Sequence, residues 1–89
     1  MLVTLDELKN SLRIETDEDD ELLTSFLTSS HKLVAQVLRV KSLRGNKPVA
    51  KTAVLYAATY MYEHREEADL HELMLTLRAL LFGARKEVF

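Results

Sequence analysis

Three groups of residues have types and spacings that could do chemistry. Asp17, Asp19 and Glu21 alternate like the opening of a calcium loop. Such a loop needs a glycine at its sixth position and a bidentate glutamate at its twelfth, where this chain carries Leu22 and Thr28. The acids read better as a capped helix start, where the helix dipole favours negative charge. His64, Glu67 and His71 fall on one helical face at i, i+3 and i+7, a spacing that could hold a divalent ion. His71-Glu72 opens like a zinc-protease motif but lacks the second histidine, with Leu75 and Thr76 nearby instead. Ser30 and His31 are adjacent, so on a helix they point about 100° apart and do not form a nucleophile and base pair. Gly45 and Gly83 are the only glycines, which leaves no phosphate-cradling loop. The residues predict no catalytic site, no metal and no cofactor, and so no enzyme.

A basic cluster remains. Arg39, Lys41, Arg44, Lys47 and Lys51 surround one loop. They could contact phosphates without reading sequence, or meet the acidic Glu15–Glu21 segment. The tyrosines belong to the presumed core, so the aromatic interleaving that binds single strands is absent. A helix-turn-helix reading of the first two helices fails on charge, because their junction is acidic and DNA would repel it.

The charge is segregated along the chain. The net charge of −2 divides into −6 over residues 1–21, +6 over 22–62 and −2 over 63–89. Oppositely charged patches steer and register association, so one copy can attract another. The same patches could also neutralise each other within one subunit. With 89 residues there is room for one domain, 1–89, and a chain this short buries a small fraction of its surface, so an outside partner could complete its core. No cysteine is present, which rules out disulfides and thiolate metal sites and suits a reducing cytoplasm. The N-terminal MLVTLDELKN does not read as a secretory signal, and no apolar run approaches the roughly 20 residues that span a bilayer. A soluble protein with no membrane contact is expected.

The elements that must position these residues centre on Val49 to Tyr62, which carries no charge between Lys51 and Glu63. A helix apolar nearly all round must be surrounded by others. Asn46 and Pro48 signal its start. Ala50, Ala53, Ala57 and Ala58, with Val54 and Met61, form a stripe that lets a second helix approach closely, while Tyr56 with Tyr60 and Leu55 with Tyr62 mark two further sides. Before it, Thr4 and Glu7 make a capping box for a first helix over about Leu5 to Leu12, from which Arg13 and Ile14 depart in an extended stretch. Thr16 or Asp17 caps a second helix over about Glu18 to Arg39. That helix has a face of Thr24, Ser25, Thr28, Ser29, Ala35 and Gln36, with Lys32 the only charge between Leu22 and Gln36. Such a face either packs against another subunit or is a mildly polar exposed surface. Leu73, Leu77, Leu80 and Leu81 suggest a short last helix, with Gly83 just past its end. The predicted fold is all-α, a compact bundle of about four helices, two short and two long, around a buried central helix.

The order of segments carries a resemblance. A short helix leading to an Arg-Ile pair and an acidic run, a Pro-led central helix ending in Tyr62-x-x-Arg65, and a closing Leu80-Leu81-Phe82-Gly83-x-Arg85 together resemble the small head-tail connector (adaptor, DNA-packaging or neck) proteins of long-tailed bacteriophages and prophages. The resemblance covers nearly the whole chain. It implies a homo-oligomeric ring of about twelve subunits beneath the portal protein, continuing the DNA channel and meeting the next neck or tail-completion protein. It implies non-specific contact with transiting DNA, assembly in the host cytoplasm and residence in the virion neck. It also implies that the C-terminal segment, with Arg85, Lys86, Val88 and Phe89, reaches toward the portal. For the subunit contact, the charges point to Asp17, Glu18, Asp19 and Asp20 of one copy facing Arg39, Lys41 or Arg44 of the next, beside Thr24 and Thr28. The alternative is a small helical DNA-binding or regulatory domain of phage or bacterial origin, which would bind duplex DNA as a monomer in a salt-sensitive manner.

Overall fold

The capping box forms as the spacing predicts. The Glu7 N–H donates to Thr4 Oγ1 (3.2 Å) and the Thr4 N–H donates to Glu7 Oε1 (3.1 Å), so helix α1 (Leu5–Leu12) begins with both donors satisfied. It does not end in the extended stretch expected. Arg13 is left-handed (φ 59°, ψ 40°), its N–H bonds to the Asn10 carbonyl (3.2 Å), and the Ile14 N–H reaches back to Lys9 (2.9 Å). These are the two bonds of a Schellman ending, with arginine where glycine is usual.

The computed structural model describes residues 2–38, 48–67 and 69–86, with side chains as far as Leu81. Helices α2 (Asp20–Leu38), α3 (Pro48–Glu63) and α4 (Leu70–Lys86) follow α1. There is no strand among the described residues, and the all-α reading holds. Pro48 opens α3 at the first helical position, where its missing N–H leaves no bond unmade. Asn46, the expected cap, lies outside the described residues.

Helix α3 touches α1, α2 and α4, and α2 touches α1 and α4, so the central position expected for α3 is met. Its buried residues are Ala50, Ala53, Val54, Ala57, Ala58 and Met61, the stripe read from spacing. Against it lie Leu23, Leu27, Val34, Val37 and Leu38 of α2, Leu73, Leu77 and Leu81 of α4, and Leu8 and Val3 from the N-terminal part. The tyrosines depart from expectation. Tyr60 and Tyr62 are half-buried, and Tyr56 is 43 % exposed, so α3 keeps one open side.

Helix α4 is longer than its leucines suggested. It spans 17 residues and continues through Gly83 instead of stopping there. Its early start is set where Asp69 Oδ1 accepts the Glu72 N–H (3.1 Å) and caps the helix four residues before Leu73. With that start fixed, Leu73, Leu77 and Leu81 form a continuous buried row.

Candidate assembly surfaces

The acidic run lies in the connection from α1 to α2 and in the first turn of α2. Asp17 and Asp20 do not cap α2 with their carboxylates. Both turn to Lys9 on α1, whose Nζ donates to Asp17 Oδ1 (2.9 Å) and Asp20 Oδ1 (2.8 Å). The Lys9 side chain is only 12 % exposed, and its ammonium pKa is pushed up to about 12, first by the bond to Asp17 and then by that to Asp20. Lys9 in turn holds the Asp17 carboxyl below its usual range. On the other side of α1, Lys51 pairs with Glu7, and this bond, then the Thr4 N–H, keeps the Glu7 carboxyl low. Some of the acidic third is therefore neutralised within the subunit, by one lysine of its own and one from α3.

Glu18 remains exposed and Asp19 half-buried at the same end of α2. The other end, Leu38, lies 18 residues beyond Asp20, roughly 27 Å along a straight helix. The basic run opens directly after it. Arg39, Lys41, Arg44 and Lys47 lie outside the described residues, as do Val88 and Phe89, and the side chains of Arg85 and Lys86 are likewise outside; the backbone of these last two is helical, in α4. Of the small-residue face of α2, Thr24, Ser25, Thr28, Ser29 and Gln36 are exposed, whereas Ala35 is buried.

Ser30, His31 and His64, weighed for chemistry, have structural partners. Ser30 is buried, with its hydroxyl 3.8 Å from Met61 Sδ. His31 Nδ1 bonds the Leu27 carbonyl (2.7 Å) and Nε2 accepts the Val3 N–H (3.1 Å), which ties the N-terminal segment to α2 and fixes the neutral tautomer. His64 stacks on Tyr60 (4.3 Å between centroids) and its Nδ1 bonds the Tyr60 carbonyl (3.1 Å). Among the described residues, no three His, Asp or Glu side chains gather as an ion site. The Tyr60 hydroxyl accepts the Asp69 N–H (3.2 Å) and donates to the Asp69 carbonyl (3.4 Å), closing the turn into α4. Arg65 donates to the Tyr62 carbonyl (2.7 Å) and lies over the Tyr62 ring (4.9 Å), so the Tyr-x-x-Arg ending satisfies a carbonyl that the last turn of α3 leaves without a partner. Neither the Lys9 bridge nor the Val3–His31 bond had a signal in the sequence, because each joins residues on different elements.

At and just past the end of α3 an open pocket of about 310 Å³ is lined by Glu63, His64, Arg65, Glu66 and Glu67. A family model described as phage gp6-like head-tail connector protein matches residues 2–86. The chain belongs to that family. No curated protein and no solved structure matches it at significance. The connector family is structural and supports a role in the phage neck, in association with other head and tail proteins, as a component of the virion. In this connector, the short-helix ending at Arg13-Ile14 and the Tyr62-x-x-Arg65 turn are both helix-terminating devices. Among its described residues, no helix is long and apolar enough to cross a membrane.

Proposed function

We propose that this connector acts as one domain, 1–89, and assembles as a ring of identical subunits beneath the portal, continuing the channel through which DNA passes. The observation that carries this reading is the position of charge on α2. Acidic residues gather at its start, Leu38 at its other end lies roughly 27 Å away along a straight helix, and the basic run follows Leu38 in the sequence. Such ends attract each other between copies, and a contact between two different patches closes into a ring when the rotation permits.

In this reading Asp17, Glu18, Asp19 and Asp20 of one subunit face Arg39, Lys41 or Arg44 of its neighbour, beside Thr24 and Thr28. Arg85, Lys86, Val88 and Phe89 reach the portal, and the opposite rim receives the next neck or tail-completion protein. DNA passes without sequence readout, and no reaction is performed. Assembly takes place in the host cytoplasm.

The test is the double reversal Arg39→Glu with Arg44→Glu, followed by light scattering and electron microscopy with and without portal protein. Loss of rings is the expected result, and unchanged rings would overturn the charge contact. A gel shift on the isolated monomer addresses the DNA-binding alternative: salt-sensitive duplex retardation, without rings in the presence of portal, would favour it.

A further inference from the structure

Two exposed leucines sit beside opposite charges on different helices. On α2, Leu22, Ser25, Phe26 and Ser29 fall at i, i+3, i+4 and i+7, the diamond of four residues that receives one side chain of a facing helix. Leu22 is 38 % exposed, Phe26 is half-buried and both serines are exposed, so the diamond is open and floored by small side chains. Glu21, also exposed, stands at its edge. On α4, Leu75 is 51 % exposed and projects away from the buried row of Leu73, Leu77 and Leu81, with exposed Arg78 one turn further on.

From these placements we infer that Leu75 of one subunit inserts into the Leu22–Ser29 diamond of the next, with Arg78 pairing with Glu21. The inference rests on the ring reading and adds α4 to its contact. A second copy is the occupant because the two halves complement each other in shape and charge and are displayed on one chain at once. Pairing α2 with its own copy, by contrast, offers Glu21 and Lys32, and its one exposed leucine, Leu22, is already a corner of the diamond. A contact of two or three helical turns falls short of the roughly 1,200 Å² that a specific stable interface buries. A pair is therefore weak, and ring closure, which gives every subunit two such contacts, supplies the cooperativity.

The chain has no cysteine, so introduced thiols report this contact alone. Ser25→Cys and Leu75→Cys are made separately, mixed and oxidised together with portal protein. The mixed disulfide is expected to exceed each homodimeric one by about tenfold, against about twofold for random pairing, because the bond forms only where the two Cβ atoms come within about 4.5 Å. The chain carrying both substitutions is expected to give a ladder of linked subunits. Statistical yields, or a product that stops at two, overturn the inference. Arg78→Glu is expected to lower the mixed disulfide at least about fivefold, and Glu21→Arg on the other chain to restore it. No restoration removes the ion pair from the proposal. Rings that persist by microscopy without the cross-link discard this contact and leave the ring; a cross-link without rings discards the ring.

Discussion

Lys9 is the residue on which the most local charge depends. Replacing it with methionine keeps the stem and removes the ammonium, leaving Asp17 and Asp20 facing each other without a cation. Lys9→Met is expected to lower the melting temperature at pH 7, followed by circular dichroism. The pH dependence follows from the direction of each shift. Asp17 titrates below its ordinary 3.8 when folded, so its contribution is complete above that value and drains away as the pH falls further. Lys9 titrates at about 12 instead of 10.5, so its contribution is complete below pH 10.5 and is lost between there and 12. The gap between the parent and Lys9→Met should thus be widest between about pH 4 and 10 and shrink on both sides; a gap independent of pH would show that Lys9 acts by packing alone. Arg13 poses the opposite case. Its left-handed backbone disfavours any residue with a Cβ, so Arg13→Gly is expected to raise stability by about 0.5–1 kcal/mol in urea unfolding. Destabilisation would mean that the guanidinium makes a contact worth more than the strain.

At the scale of the element, α4 provides the sharpest test. Gly83 lies inside a helix, where alanine is favoured by about 1 kcal/mol, so Gly83→Ala should stabilise the protein. Had Gly83 stood past the helix end with positive φ, the same change would destabilise, and the sign of the change in urea midpoint separates the two. Leu77, wholly buried in the row that faces the core, should lose about 3 kcal/mol on truncation to alanine, a large part of the stability of a chain this size. The elements differed in how legible they were. Helix α1 and the start of α3 were readable because Thr4, Glu7 and Pro48 act through neighbours in the sequence. The stripe of α3 was readable because its alanines, Val54 and Met61 are apolar and recur at helical spacing. The length of α4 was hidden because glycine usually stops a helix, and nothing in the leucine pattern announced the Asp69 cap. The exposure of Tyr56 was hidden too, since three neighbours are enough to bury a stripe but not a whole circumference. The proposed contact residues Asp17 to Asp20 were visible as an acidic run, yet the capture of Asp17 and Asp20 by Lys9 depends on how α1 sits against α2, which no local spacing encodes.

For the whole molecule, the charge contact proposed between subunits predicts an assembly that depends on ionic strength. Between 0.1 M and 1 M salt the screening length falls from about 10 Å to about 3 Å. Ring formation with portal protein should slow and weaken over that range, as followed by light scattering, while thermal unfolding of the isolated subunit changes little. Assembly indifferent to salt would shift the weight from charge to the apolar contacts of α2 and α4.

The bond from Val3 to His31, together with the pair formed by Glu7 and Lys51, stitches the first few residues to helices that come much later in the chain. The first stitch spans 28 positions of chain and needs only α2, whereas the second also needs α3, so each is held by a long loop that must close before its contact forms.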